Sequence, residues 1–337
     1  MTNLFWTCVL LSCTVSTIFV IQIPLFDQSY GSMQQNSTNA TFNFAAAGAW
    51  DCNENTRETV ENIARMNPGL VLGLGDYSYK DSEDCWLSIV QPLISKMKIT
   101  LGNNDVIRPS NINSLAAAFN LSTPWYSFDY GNTHFIALAT DHPRNLEDLL
   151  EYQGEQYNWL NRDLAMAASN NTINWIIVFF HQVAYGSKSD VSGPLTDLSS
   201  IFHPLFEIYD VDLVLQANSL FYDRTFPIRF GNNFSMPIVT DYNRSLYESP
   251  DGQIFANIGT AGHAIFDFQD KPNYIAAQNS SYGFLETEIS SDVLNATYIT
   301  NDGIMADNFM INKTKQAVVD ACSSLDVSTM RLSSFKC

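Results

Sequence analysis

From Phe42 onward, apolar and polar positions divide the chain into short buried strands, each closed by a polar loop. Leu70, Val71 and Leu72 form an unbroken apolar run, the pattern of a strand covered on both faces. It ends in Gly73-Leu74-Gly75, with Asp76 next and Tyr79 three residues further on. Phe42–Ala47 is an earlier strand of the same kind and runs into Gly48-Ala49-Trp50-Asp51-Cys52-Asn53. Between the two, residues 54–67 carry Val60, Ile63, Ala64 and Met66 on a helical period, and Pro68 closes the helix. The three segments predict a β-α-β unit whose right-handed crossover brings residues 48–53 and 75–79 to one sheet edge, where ligand groups collect in open α/β sheets.

The same grammar continues along the chain. A helix over 85–96 leads to a strand at 98–101 and to Gly102-Asn103-Asn104-Asp105. Residues 125–130 and 134–140 predict a hairpin about Gly131-Asn132, and 155–168 an amphipathic helix. Residues 174–180 form another buried strand ending at His181, and 211–216 one ending in Ala217-Asn218-Ser219-Leu220. The remainder, to about 311, reads as short alternating strands without repeats. Five strand ends therefore deliver polar loops to one place. A carboxylate such as Asp76 in that position is costly unless a metal ion or hydrogen-bond donors satisfy it.

Residues 4–25 are almost uncharged and apolar, and no Lys or Arg precedes Arg57, so residues 1–25 read as a signal peptide or membrane anchor of unassigned orientation. Residues 26–41 are a Ser-, Asn- and Gln-rich linker, 42–312 the folded domain and 313–337 a short tail. The domains predicted this way make the protein secreted or membrane-anchored, outside the cytoplasm. Nine N-x-S/T tripeptides, at Asn36, Asn39, Asn120, Asn170, Asn233, Asn243, Asn279, Asn295 and Asn312, are consistent with an exported glycoprotein surface. Outside the N-terminal stretch the cysteines are Cys52, Cys85, Cys322 and Cys337, and we expect Cys52–Cys85 and Cys322–Cys337 disulfides. Against 35 Asp and Glu stand only 17 Lys and Arg, a formal net charge of −18, which repels nucleic acid and anionic lipid surfaces.

The ordered set GAWDCN, GDYSY, GNND, FFHQ and QANSLFYDRTFP resembles the motifs of the calcineurin-like metallophosphoesterases, purple acid phosphatase-like branch. That resemblance implies a four-layered α/β/β/α sandwich and a centre of two metal ions sharing one bridging carboxylate, at which a phosphate ester is hydrolysed. Carried over residue by residue, Asp76 is the bridge, Tyr79 a ligand of the first metal, and Asn103 and His181 ligands of the second. The departures are at four of eight positions. Ala49 and Leu220 replace a carboxylate and an imidazole at the first metal, Asn218 replaces an imidazole at the second, and Asn104 stands where the catalytic His belongs. Asp51, two residues past Ala49, is a candidate to replace part of the lost carboxylate. One divalent ion, drawn from magnesium, manganese, calcium, iron or zinc, is the expected maximum, and mixed oxygen ligation suits the hard ions better than zinc. His263, which matches no ligand position, reads with His134, His142 and His203 as a surface or loop histidine. The resulting expectation is an impaired pseudophosphatase, with a mononuclear phosphoesterase and a cell-surface structural or interaction protein as the rival classes. Its partner is then a phosphate ester or another ligand.

Overall fold

The computed structural model describes residues 41–141, 154–188, 196–231 and 236–313. These residues lie within the unit Ser37–Cys337. The expected first and last segments, the Cys322–Cys337 bridge and His142 lie outside the described residues.

The β-α-β unit forms as predicted. β1 (Phe42–Ala47) and β2 (Leu70–Gly73) pair in parallel, Phe44 opposite Leu70 and Ala47 opposite Gly73. Helix α1 (Glu54–Met66) joins them. It starts where the Asn53 side chain accepts the Thr56 N–H at 3.0 Å and ends at Asn67, whose left-handed backbone returns its N–H to Ile63 and Ala64.

The helix expected over 85–96 is instead a short α2 (Asp84–Ile89), a 3-10 turn (Ile94–Lys96) and β3 (Met97–Ile99). Pro92, which lacks an amide hydrogen, splits the segment. Next come α3 (Asn103–Val106), α4 (Pro109–Phe119), and the expected hairpin of β4 (Tyr126–Tyr130) and β5 (Thr133–Ala137), turned at Gly131 with φ +62. Helix α5 (Glu155–Ser169), β6 (Trp175–Phe179), α6 (Thr196–Ile208) and β7 (Leu213–Gln216) follow. The last part contains β8 (Tyr222–Thr225), the small ribbon β9 (Ile228–Arg229) and β10 (Ile238–Val239), β11 (Leu246–Glu248) and β12 (Ile254–Ile258). β13 (Ile275–Asn279), β14 (Gly283–Ile289), β15 (Val293–Thr300) and β16 (Met305–Asn312) complete it.

Two seven-stranded sheets result, in the orders β11-β16-β15-β14-β1-β2-β3 and β13-β8-β12-β7-β6-β5-β4. At the centre of the second sheet both faces are covered, and β6 is apolar and buried at every position. Trp175, Ile177 and Phe179 of β6 face the core between the sheets, while Ile176 and Val178 join Leu160 and Leu164 of α5 and Phe202, Leu205 and Phe206 of α6. Phe44 meets Phe135 edge to face across the sandwich, centroids 5.5 Å apart. The α/β/β/α arrangement is the one the motifs implied.

Arg224 on β8 joins the two sheets. Its side chain is fully buried, with Nε 2.7 Å from Asp307 Oδ2 on β16, and it also donates to Tyr247 Oη and the Arg244 carbonyl. Tyr222 Oη donates to the same Asp307 oxygen at 2.7 Å, and its ring stacks on Tyr298. A buried guanidinium is tolerable only with its donors satisfied in this way.

Candidate functional site

The loops after β1, β2 and β3 of the first sheet and after β6 and β7 of the second meet at one end of the sandwich. Backbone bonds from Ala49, Trp50 and Asp51 N–H to the Gly75, Asp76 and Tyr77 carbonyls extend the β1–β2 pairing beyond the strands. The His181 carbonyl accepts both Ala217 and Asn218 N–H, tying the end of β6 to that of β7. Buried Asp105 accepts the amides of Asp76 (2.8 Å), Tyr77 (2.8 Å) and Gly102 (2.7 Å). Burial and the charge of Asp76 push Asp105 well above the usual carboxylate range. The approach is close enough that a Cβ on Gly75, at φ +89, would lie 2.7 Å from Gly102 N and from His181 Nδ1.

Asp76 sits at the centre. Its Oδ1 accepts the Asn104 backbone N–H at 2.8 Å, and its Oδ2 accepts the Asn104 side-chain amide at 2.6 Å and Tyr79 Oη at 2.9 Å. His181 is fully buried; Nδ1 donates to the Leu74 carbonyl at 2.8 Å, and Nε2 lies 3.1 Å from Asn103 Oδ1 and 3.4 Å from Asp76 Oδ2. Burial alone would lower the imidazole, but the Asp76 charge and hydrogen bond raise it to about 10. Burial likewise opposes ionisation of Asp76, and His181 with the Asn104 donors overcomes it, holding the carboxyl below its usual value. The Tyr79 hydroxyl, buried beside that carboxylate, is pushed far up and stays a neutral donor.

Asp76, Tyr79, Asn103, Asn104 and His181 are therefore brought together as the motifs suggested. Asn218 follows from the next strand, with Nδ2 donating to Gln182 Oε1 at 2.7 Å. Ala49 and Leu220 are buried and offer no donor atom.

Asp51 and His263 pair with each other. Asp51 does not turn to Asp76: Oδ2 lies 2.9 Å from His263 Nδ1, and Oδ1 accepts the Cys52 N–H at 2.6 Å and lies 3.4 Å from Lys80 Nζ. Burial works against its charge, yet His263, the Cys52 amide and Lys80 hold it below the usual carboxylate range. His263 is a loop residue, as expected, but a partly covered one that belongs to this edge: its ring stacks on Tyr79 at 3.5 Å and 6°. Its backbone N–H donates to the Ala49 carbonyl at 3.0 Å. The available signal was Gly259-Thr260-Ala261-Gly262-His263 itself, a small-residue turn after the buried apolar strand β12, like the other four loops. His134 and His203 are also buried rather than exposed, His134 between two aspartates and His203 between Tyr185 and Gln253. For His203, burial depresses the imidazole to about 4.

Ala49 (φ +54), Asp51 (+116), Asp76 (+59) and Tyr79 (+54) all adopt left-handed backbone, a concentration of conformational cost typical of ligand sites. The cysteine pair at this edge is joined: Cys52 and Cys85 form a disulfide with Cα atoms 5.8 Å apart. Among the described residues, no group of three or more His, Cys, Asp or Glu side chains is placed to hold a metal ion. Asp76 Oδ2, Asn103 Oδ1 and His181 Nε2 face one another, while Ala49 and Leu220 bring no side-chain donor to the same edge.

Residues 43–217 match the family model of the calcineurin-like phosphoesterases, and the chain belongs to that family. Within it, the likeness is to the purple acid phosphatases. A mouse (Mus musculus) protein named acid phosphatase type 7 is 25% identical over 257 residues, covering 68% of this chain and 56% of its own. An uncharacterized protein of Mycobacterium tuberculosis is 32% identical over 145 residues, 41% of this chain and 27% of that one. The chain thus spans about half or less of these relatives' lengths. In structure it resembles the yellow lupin (Lupinus luteus) purple acid phosphatase PPD1, with TM-score 0.67 and 18% identity over 81% of this chain and 54% of that one. It also resembles Plasmodium GAP50, with TM-score 0.61 and 15% identity over 82% and 90%.

Proposed function

We propose that this protein is a pseudophosphatase: a purple acid phosphatase-like scaffold that has given up two-metal hydrolysis and serves to bind a ligand or partner, with at most one metal ion. The observation carrying this reading is that Ala49 and Leu220, which stand where the family resemblance puts two ligands of the first metal, are buried apolar side chains, so that on this reading only Asp76 and Tyr79 are left for it. The Asn104 amide, resting on Asp76 at 2.6 Å, supports it, because an amide supplies no proton to a leaving oxygen. The fold is also carried by a protein described as the anchor in the inner membrane complex of Plasmodium.

A second reading, a mononuclear phosphoesterase, is favoured by the convergence of Asp76, Asn103 and His181. These three would hold the ion, which when bound would supply Lewis-acid charge to a ligand oxygen. The protein's own contribution there is to orient His181 through the Leu74 carbonyl and to keep Asp76 ionised.

We place the protein outside the cytoplasm, secreted or membrane-anchored. The apolar residues 4–25 and the Cys52–Cys85 disulfide support this, since such bonds persist in oxidising compartments. Among the described residues no helix is long and apolar enough to cross a membrane.

The deciding experiment assays a chromogenic phosphate ester with the purified protein and counts its metals. We expect turnover no faster than the buffer control and at most one ion per chain. The combined Ala49→Asp, Asn104→His, Asn218→His and Leu220→His variant should gain a second ion, while single reversions gain little because the residues act as a unit. Robust turnover with two ions in the unaltered protein overturns the reading. Turnover with one ion, lost in His181→Ala, establishes the mononuclear alternative.

A further inference from the structure

The nine glycosylation tripeptides are indistinguishable by sequence, and the fold separates those it describes. We infer that N-linked carbohydrate is carried at Asn120, Asn170 and Asn243 and is excluded from Asn279 and Asn295. A chain-linked glycan needs an asparagine Nδ2 that points into solvent with room for a bulky substituent. Asn120 ends α4, is exposed, and has left-handed backbone (φ 52) that turns it away from the helix; Ser122 beside it is exposed too. Asn170 ends α5 and is exposed along with Asn171 and Thr172. Its Oδ1 accepts both the Thr172 N–H (3.0 Å) and the Thr172 hydroxyl (2.9 Å), which fixes the amide through its oxygen on an exposed stretch of chain. Asn243 is exposed between β10 and β11, with Oδ1 taken by the Ser245 and Leu246 amides at 3.1 and 3.3 Å.

The excluded pair stand in strands. Asn295 lies in the middle of β15, paired on one side with Glu288 and on the other with Met310. Unlike the three exposed asparagines it is half-buried; its Oδ1 accepts Asn308 Nδ2 at 3.0 Å, and the same Asn308 amide reaches Thr297 Oγ1 at 2.8 Å, so a neighbouring strand's side chain lies across the tripeptide. Asn279 closes β13 opposite Tyr222, half-buried, with Oδ1 fully enclosed.

The chemistry is a group transfer from a lipid-phosphate-linked sugar, brought by a transferase of the export compartment. Asparagine Nδ2 bonds to the anomeric carbon, the carbon–oxygen bond to the lipid phosphate breaks, and the phosphate leaves with that electron pair. The amide nitrogen gives up one proton to a base of the transferase. The inference rests on export from the cytoplasm.

The test uses full-length protein from the cells that make it, fractionated first and then digested for tandem mass spectrometry. We expect protein outside the cytoplasm, with hexose or N-acetylhexosamine increments on the peptides holding Asn120, Asn170 and Asn243 and none on those holding Asn279 and Asn295. Thr172→Val should remove the increment at Asn170 alone, and Thr172→Ser should retain it. Protein that is outside the cytoplasm but bare at the three positions overturns the inference and leaves the location standing. Occupancy of Asn295 in folded protein also overturns it. Recovery from the cytoplasm defeats both.

Discussion

His134 is held between two carboxylates, with Nδ1 2.6 Å from Asp129 and Nε2 3.0 Å from Asp163. Both ring nitrogens face acceptors, so the imidazolium is the form that fits. Burial alone would lower it, and the two aspartates raise it to about 9. A folded value above the unfolded one near 6.5 means that this stabilisation is complete below about pH 6.5 and is lost as pH rises through 9. Thermal melts of the unaltered protein should therefore lose on the order of 2–3 kcal/mol across that window, and His134→Gln should flatten the dependence. An unchanged slope in the variant would assign it elsewhere. The contrast with His263 shows what sequence can reveal at this scale. Asp76, Asn103, Asn104 and His181 were legible because each closes an apolar run in a known motif order. The pairing of His263 with Asp51 spans 212 positions and depends on β12 of the second sheet ending beside β1 of the first, which no local pattern encodes.

Strands read more clearly than helices in this chain. β2, β6 and the first three positions of β7 are without polar side chains because both of their faces are covered, and their ends were legible to within a residue or two. Helices α4 and α6 were not expected: α4 has a weak apolar stripe, with only Asn111 and Leu115 fully buried, and α6 contains Pro204. Proline inside a helix ordinarily reads as a break, and here it is absorbed by packing against the second sheet. Among the connections, the Cys52–Cys85 bridge matters most, closing a loop of 33 positions between the segment after β1 and α2. In the chain-entropy account such a crosslink contributes about 3–4 kcal/mol. Denaturant unfolding of Cys52→Ser/Cys85→Ser should show a loss of that order. A loss below about 1 kcal/mol would mean that the reduced chain retains structure around the pair.

At the scale of the molecule, the two sheets share a core and are also joined by the Arg224–Asp307 pair. Removing one partner leaves a buried charge without its counterion, so Asp307→Ala should cost about 3–5 kcal/mol. Arg224→Met together with Asp307→Leu should recover much of that loss, because an apolar pair of similar volume does not need a counterion. Equilibrium unfolding of the three proteins checks both statements. The same pair has a consequence for how the molecule opens. Stacked sheets joined only by oily contact can slide or part locally, admitting solvent along one margin while the other stays shut. Here β8 and β16 are fastened by directional bonds that fail together or hold together, so their amides should share one slow hydrogen-exchange rate, equal to that of global opening. Breaking the fastening should split that common rate in two, with β16 exchanging ahead of β8.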